Sequence, residues 1–323
     1  MRAAHRLARI VGIGVFLAVS GLPAAAFTPS ERIVLVSQSS AGTGNDLMLR
    51  EIAEIWTKNK LVEQLVGNEN VTGALGENAR RFVAQENEGN PHVLFAYTAS
   101  TLNQSILSNS IFTPDKFTPI VMLVTSPAVV VVNKDSAFQT LDDLIKAAKE
   151  KPGAIVQGGG PYGGASAMVG HALHEKAGAE LPYTPFKGGG EAVTQLLGNH
   201  VQFIIENPGE INQYLKADQL RVLATTTKLP TMPDVKTLEE LGYGINVPDS
   251  FRAIFAPPGI SKEAQDYYIA LFEKTRDLPD WQNFIAEDGL VDFWMTGTEA
   301  GKYAADAAAV YTALDEKMGL MKK

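Results

Sequence analysis

Short apolar runs alternate with helical patterns along the chain, and this alternation limits the possible folds more than any other feature. Ile33 to Ser37 has the composition of a buried strand, and a glycine-led loop and a helix follow over residues 42–61. His92 to Tyr97 begins a second unit, whose helix is predicted over residues 100–107. Repeated strand–loop–helix units predict an α/β fold with largely parallel sheets.

The same alternation continues through the second half of the chain. Thr140 and Asp143 form a capping box at the start of one helix, and Pro152-Gly153 ends that helix. Further strands are predicted over residues 154–157, 183–186, 201–206 and 220–225, with helices over residues 165–177 and 190–197 and from residues 262 and 299.

The segment 117–133 contains two β runs that are interrupted at Ser126-Pro127. Because proline cannot donate to a strand ladder, one continuous strand is disfavoured. We expect the chain to leave one sheet here, to enter another, and to return near residues 247–256. Two crossings predict a first lobe built from residues 27–126 and 248–323, an inserted second lobe over residues 127–247, and a hinge with a ligand cleft between them.

The first 26 residues have the pattern of a cleaved signal peptide. A start with three arginines and no acidic residue precedes a short apolar run over residues 10–22, and Ala24 and Ala26 form an A-x-A cleavage site. We therefore expect export to the periplasm and a mature chain that begins at Phe27. An uncleaved anchor helix is the alternative, although the apolar run is short for a membrane span.

Composition narrows the classes of function. Without the three arginines of the leader, the chain has 25 basic and 36 acidic residues and a net charge of −11, with histidine neutral. This charge disfavours binding to nucleic acid and to anionic lipid. The sequence has no cysteine, which excludes disulfides, cysteine-ligated zinc, a cysteine nucleophile and a lipid-modified cysteine.

Two glycine-rich loops carry the main functional signal. Residues 39–46 read SSAGTGND and residues 158–166 read GGGPYGGAS; each follows a predicted strand, precedes a predicted helix and contains no lysine or arginine. The first amides of a helix have no partner within the helix and carry partial positive charge, so a carboxylate or phosphate can bind there without a cation. Either loop alone can be a tight βα connection. Two such loops, one in each lobe, favour a shared anionic ligand.

Other side chains extend this candidate site. Arg252 lies at the second crossing, where its guanidinium can pair with a ligand carboxylate or, equally well, form a structural ion pair between the lobes. Lys187 can reach the cleft, although a solvated lysine is the default interpretation. Hydroxyl donors in the two loops and after the strand at residues 92–97 are expected to line the cleft: Ser39, Ser40, Thr43, Ser166, Thr98 and Ser100.

Two other interpretations of these residues are weaker. Gly158, Gly160 and Gly163 match the G-x-G-x-x-G pattern of dinucleotide sites, but the next strand ends in Lys187 instead of the acid that would bind the ribose. An exported hydrolytic enzyme would use His171, which lies three residues from His174, or Asp46 as its base. No H-E-x-x-H, G-x-S-x-G or S-x-x-K motif supports catalysis, and an acid in a first helical turn is more simply a cap.

The ordered motifs resemble the substrate-binding proteins of tripartite tricarboxylate transporters, also called Bug proteins. The first loop with Arg50 resembles the family's P-x-G-G-x-x-D loop and its Ala-Arg helix, and the resemblance covers essentially the whole mature chain. The remaining matching segments are residues 141–153, 158–171, 186–188, 196–205, 220–224, 232–242 and 256–259.

The resemblance implies a two-lobed periplasmic binding protein of the Venus-flytrap type, which captures a small organic carboxylate and delivers it to the membrane subunits of the transporter. We also expect a monomer that uses no cofactor, metal or catalytic residue. A sensory binding protein that reports to a kinase is the further alternative. Carried over from the family, the binding residues are Ser40, Ala41, Gly42, Thr43, Asp46, Thr98, Gly163, Gly164, Ser166 and Glu206.

The sequence also departs from the family pattern. Ser40-Ala41 replaces a proline-containing pair, Glu206-Asn207 replaces an aspartate, and Phe251-Arg252-Ala253 replaces W-x-G. Tyr162 lies in an extended glycine run where the family has Ser-Ser-Gly. Tyr162 and Arg252 therefore suggest a different acid, either a dicarboxylate or an aromatic carboxylate.

Overall fold

The computed structural model describes residues 27–321, which form two β-sheets covered by helices; the predicted signal peptide, residues 1–26, lies outside the described residues. In chain order the strands are β1 (Ile33–Ser37), β2 (Val66–Asn70), β3 (Val93–Thr98), β4 (Thr118–Ser126), β5 (Val129–Asn133), β6 (Gln157–Gly159), β7 (Tyr183–Pro185), β8 (Phe203–Glu206), β9 (Leu220–Thr225), β10 (Ser250–Ala256) and β11 (Val291–Thr296). The helices are α1 (Gly44–Lys58), α2 (Glu77–Arg81), α3 (Ala99–Leu107), α4 (Leu141–Glu150), α5 (Ala165–Ala177), α6 (Gly189–Leu197), α7 (Pro208–Lys216), α8 (Lys262–Arg276), α9 (Pro279–Glu287) and α10 (Gly297–Lys317).

The first sheet has the strand order β11-β4-β10-β3-β1-β2, and the second has the order β7-β6-β8-β5-β9. We call each sheet with its packed helices a lobe. The chain passes to the second lobe between Ser126, the last residue of β4, and Val129, the first residue of β5. It returns between Thr225 at the end of β9 and Ser250 at the start of β10. The lobe boundaries derived from the sequence stay predictions.

The expectation of largely parallel sheets is wrong. Among residues 27–321, four strand pairs are parallel and five are antiparallel. The parallel pairs include β1 with β3 and β6 with β8. Most antiparallel pairs involve strands that begin at a crossing: β10 pairs with β3 and β4, and β5 pairs with β8 and β9. A strand that begins at the crossing must run antiparallel to the strands that end there.

Strand direction brings the carboxyl ends of strands from both sheets to one edge. Because β4 ends at the first crossing, β3 and β1, which run in the same direction, end at that edge as well. In the second sheet, β8 and β6 end there because they run against β5, which begins there. Ligands of α/β proteins bind at the carboxyl ends of strands, so this shared edge positions the candidate site.

Most predicted elements are observed close to their predicted bounds, but β6 is shifted. It spans Gln157–Gly159 instead of residues 154–157. A Cβ atom at Gly158 would lie 2.9 Å from Val201 Cγ2, and one at Gly159 would clash with Ser166 Oγ. These two glycines therefore permit close packing within the sheet and do not belong to the loop.

Five elements, β2, α2, α7, α9 and β11, were not predicted. The sequence of β2 is VGNEN, which lacks the apolar run of a buried strand. It pairs with β1 at the edge of the first sheet, where polar side chains remain partly exposed.

Two apolar layers cover the first sheet. On one face, the ring of Trp56 from α1 lies 5.1 Å from that of Phe272 from α8; on the other, Tyr97 of β3 stacks on Phe255 of β10 at 4.5 Å. All four side chains are fully buried, and each such burial contributes about 2 kcal/mol to stability. None of the helices within residues 27–321 has the length and apolar composition that crossing a membrane requires.

The predicted capping box begins α4 and gives a test of local stability. Thr140 Oγ1 accepts from Asp143 N at 3.2 Å, and Asp143 Oδ2 accepts from Thr140 N at 2.9 Å. We expect Thr140→Ala to lower the free energy of unfolding by about 1 kcal/mol, because it leaves an amide of the first turn without an acceptor. Urea denaturation followed by circular dichroism measures this, with Thr140→Ser as the matched control. Equal midpoints for Thr140→Ala and the wild type would contradict the assignment.

Candidate functional site

A cavity of about 340 Å³ lies between the two lobes, where α3 and α5 begin. The first lobe contributes α3, and the second contributes the loop that precedes α5. The polar part of the wall includes Ser100, Asn103 and Gln104 from α3, Ser250 from the start of β10, and Tyr162, Gly163 and Gly164 from the loop. Two helix starts from different sheets therefore face the same space.

The start of α3 is shaped by hydroxyl groups. Thr98 is the N-cap residue, and its Oγ1 accepts from Thr101 N at 3.2 Å. Ser100 Oγ lies 2.9 Å from Thr98 Oγ1, and Ser100 is exposed on the cavity wall while Thr98 is buried. The amides of Ala99 and Ser100 lie in the first helical turn, where no intrahelical acceptor is available.

The start of α5 depends on glycine. Gly164 is the N-cap residue, has no side-chain cap and donates its N–H to Pro161 O at 3.1 Å. Gly163 has φ +81°, a conformation that favours glycine, and a Cβ atom there would lie 3.0 Å from Leu107 Cδ1 of the other lobe. Glycine at this position thus lets the loop approach α3.

Asn103 connects the lobes directly. Its Nδ2 donates to Gly163 O at 2.5 Å, and its Oδ1 is buried without a hydrogen-bond partner among the described residues. Asn103 was not among the residues predicted to form the site. Its position one turn after Ser100 on α3 is the local signal that could have identified it, because residues three apart share a helix face.

The first glycine-rich loop lies beside this cavity and does not line it. Ser40, Ala41, Gly42 and Thr43 are exposed, and Ser39 is half-buried. The loop is linked to the cavity through Asn45, whose Nδ2 lies 3.5 Å from Thr98 Oγ1.

Asp46 holds that loop in place. Its carboxylate accepts from Gly42 N at 2.8 Å, from Asn70 Nδ2 at 3.0 Å, and from Arg50 at 2.8 and 3.1 Å. The side chain is 1% exposed. The hydrogen bond from Arg50, together with those from Gly42 and Asn70, outweighs burial and lowers the pKa of Asp46 to about 2. These contacts correspond to the capping interpretation, since they occupy both carboxylate oxygens.

Arg252 also makes its contacts within the protein. Its Nη1 donates to Gly44 O at 3.1 Å, at the first residue of α1, and lies 3.6 Å from Asp288 Oδ2. The side chain is 13% exposed, and burial lowers the pKa of Arg252 against the opposing effect of Asp288. These contacts give Arg252 a structural role, but its ion pair lies within the first lobe, since Asp288 follows α9, and does not join the two lobes as the sequence suggested.

The remaining predicted residues of the second lobe lie around the cavity without lining it. Ser166 Oγ lies 3.5 Å from Gln157 Nε2, on the side of the loop that faces β6. Glu206 ends β8 and is 7% exposed, next to the carboxyl group of Glu210. Burial, with the neighbouring charge of Glu210, raises the pKa of Glu206. Gly189 begins α6. Because it has no side chain, the carboxyl groups of Glu206 and Glu210 can occupy the space beside it.

The histidine pair lies away from the helix starts. The rings of His171 and His174 stack on α5 with centroids 6.3 Å apart, and His174 Nδ1 accepts from Leu181 N at 3.2 Å. Within residues 27–321, no group of three or more histidine, aspartate or glutamate side chains is arranged to hold a metal ion.

Comparison with known proteins identifies relatives over most of the chain. Residues 50–320 match the family model of the tripartite tricarboxylate transporter family receptor. The chain is 27% identical to the UPF0065 protein in the gbd 5' region of Cupriavidus necator, over 100% of this chain and 99% of that protein. It is 29% identical to protein BugT of Bordetella pertussis, over 76% of this chain and 78% of BugT.

Solved structures show the same fold. A TctC solute-binding protein from Polaromonas superposes with a TM-score of 0.78 at 24% identity, covering 90% of this chain and 99% of that one. A Rhodopseudomonas palustris protein with adipate has a TM-score of 0.74 at 20% identity, with 90% and 98% covered. MatC from the same organism, with bound malate, has a TM-score of 0.67 at 18% identity, with 88% and 99% covered. The predicted α/β fold of a two-lobed periplasmic binding protein is confirmed.

Asp46 gives a pH-dependent test of the first loop. Its folded pKa of about 2 lies below the unfolded value of about 3.9, so its ion pair stabilises the fold above the unfolded value and is lost as pH falls toward 2. We expect Asp46→Asn to lower the free energy of unfolding by about 2 kcal/mol at pH 7 and by progressively less between pH 4 and 2. Denaturant titrations at several pH values measure the difference, and the exposed Asp135 supplies the control variant Asp135→Asn. A difference that does not vary with pH would contradict the role of the charge.

Proposed function

The chain belongs to the family of tripartite tricarboxylate transporter receptors, and from this premise we propose that it binds a small organic carboxylate between its lobes and delivers it to a membrane transporter. As a member of this family it is a receptor of the solute-binding type. The neighbours with malate and with adipate support a carboxylate as the ligand.

One observation carries the proposal: α3 of the first lobe and α5 of the second begin at the same cavity. The unpaired amides of each helix start attract an anion, and the Ser100 hydroxyl adds a donor. Among the described residues, no lysine or arginine lines this cavity. Backbone amides and hydroxyl groups are therefore the means of holding a carboxylate here.

In this proposal the predicted site residues divide by role. Ser100, Tyr162, Gly163 and Gly164 contact the ligand, because they line the cavity. The first loop, from Ser39 to Thr43, closes the cleft from the side of α1. The remaining predicted residues position these elements: Asp46, Thr98, Ser166, Glu206 and Arg252.

The proposal includes the setting in which the receptor acts. The predicted signal peptide, residues 1–26, supports a periplasmic location, and the partners are the membrane subunits of the transporter. The lobes keep their predicted boundaries, residues 27–126 with 248–323 and residues 127–247. We propose a monomer that uses no cofactor; the formation of both cavity walls by residues of a single chain supports the monomer.

Hydrolytic catalysis finds no support in the contacts of its proposed bases. Asp46 has both carboxylate oxygens engaged by Gly42, Asn70 and Arg50. His171 does not line the cavity, and its Nε2 lies 3.8 Å from Glu175 Oε1. We therefore propose binding without turnover.

Isothermal titration calorimetry with a panel of mono-, di- and tricarboxylates tests the proposed function. We expect at least one to bind the wild type and to raise its melting temperature. Ser100→Ala should weaken the binding of that ligand about fivefold to tenfold, since it removes one hydrogen bond to a charged group. Ser30→Ala, an exposed serine outside the cavity, serves as the control. Absence of binding by every carboxylate would refute the proposed function.

A further inference from the structure

We propose that the ligand is a carboxylate with an apolar body, that this body lies between Leu75 and Tyr162, and that Leu75 selects for it. This inference rests on the proposed function, since the carboxylate is held at the helix starts. It concerns the part of the cavity that lies beyond those amides.

The wall formed by α3 changes character along the helix. Ser100, Asn103 and Leu107 line the cavity at spacings of three and four residues, which places them on one helix face. The face is polar over the first turn, at Ser100 and Asn103, and apolar at Leu107, two turns from the helix start. Across the cavity, Met168 of α5 and Tyr311 of α10 continue the apolar part. A ligand with its carboxylate at the helix starts would direct its remaining atoms along this surface.

Leu75 lies at the mouth of the cavity in an unusual conformation. Four consecutive residues, Gly73, Ala74, Leu75 and Gly76, have φ values of +111°, +48°, +52° and +79°. A residue other than glycine costs about 1–2 kcal/mol in the left-handed region, and two of the four are not glycine. Such strain persists only where the surrounding structure holds it, and it is concentrated at functional sites.

The surrounding structure does hold this turn. Arg80, which is fully buried, donates from Nη2 to Leu75 O at 2.9 Å. Gly76 N donates to Gly73 O at 2.9 Å, and Asn78 Nδ2 donates to Thr72 O at 3.0 Å. The turn is therefore fixed, and it keeps the side chain of Leu75 at the cavity instead of in the core.

Tyr162 forms the facing apolar surface. Its ring packs against Tyr183 at 5.0 Å between centroids, and its Oη donates to Tyr183 O at 3.2 Å, so its orientation is set. Leu75 is 58% exposed and Tyr162 is 50% exposed. Among the described residues, five large apolar side chains are exposed, and Leu75 and Tyr162 are the two of them that line this cavity. Paired exposure of this kind marks a binding surface, whereas isolated exposed leucines are ordinary.

A buried polar atom supports the same cavity as a ligand site. Asn103 is 5% exposed and lines the wall between Ser100 and Leu107, and its Oδ1 has no partner among the described residues. A buried acceptor without a partner costs about 1–3 kcal/mol. A donor group on the ligand at this depth would offset that cost. The volume of about 340 Å³ is at the lower end of small-molecule sites, which favours a ligand with one ring or a short chain.

Two ligands that differ only in the apolar body test this inference. Calorimetry would compare 3-phenylpropanoate with propanoate on the wild type, where we expect the phenyl compound to bind about tenfold more tightly or better, because its ring leaves water. Leu75→Gly should weaken the binding of 3-phenylpropanoate about fivefold to tenfold and leave that of propanoate nearly unchanged, whereas Tyr162→Ala should weaken both and 3-phenylpropanoate the more strongly. Leu65→Ala, which shortens an exposed leucine outside the cavity, is the matched control.

The thermal stability of Leu75→Gly separates lost selectivity from misfolding. Glycine removes the left-handed strain at this position, so the free variant should melt no lower than the wild type while its affinity falls. If di- or tricarboxylates bind but 3-phenylpropanoate binds no tighter than propanoate, the inference is overturned and the proposed function stands. If Leu75→Gly weakens the binding of both ligands equally, the proposed role of Leu75 in selecting the ligand is overturned. If no carboxylate binds at all, the proposed function and the inference fail together.

Discussion

The direct passage of the chain from one sheet to the other is the constraint on which the rest of the structure depends. Only Pro127 and Ala128 separate β4 from β5, so the two sheets meet at one edge and every strand runs either toward it or away from it. Because β3 and β6 run toward it, the helices that follow them begin there. The meeting of α3 and α5 at one cavity is thus a consequence of chain direction.

The charged side chains at this edge pair with other groups of the protein. Asp46 neutralises Arg50 and organises its own loop, while Arg252 faces Asp288 and a backbone carbonyl. An acidic chain that recognises an anion needs local attraction that does not depend on its net charge. Helix starts and hydroxyl groups provide this attraction in a small space, because their partial charges act over short distances.

Local chemistry accounts for what the sequence predicted well. The capping box at Thr140 and the glycines at 163 and 164 could be identified because neighbouring residues determine helix starts and left-handed turns. Strand direction was misjudged, since pairing depends on residues far apart in the chain. Gly158 illustrates the same limit: it was interpreted as part of a loop, yet its role is to make room for Val201 across the sheet. Asn103 carried only the signal of lying one turn after Ser100, and nothing in the local sequence separated Leu75 from ordinary loop residues.

The side-chain amide of Asn103 is one rigid group whose two polar atoms have different surroundings. Its nitrogen donates to the carbonyl of Gly163 in the opposite lobe, and its oxygen, two bonds away, has no partner among the described residues. Both atoms rotate about the same side-chain torsion. A ligand that donates a hydrogen bond to the oxygen would therefore also change the orientation of the nitrogen. In the proposed receptor, occupancy of the cavity would therefore affect the hydrogen bond by which Asn103 joins the two lobes.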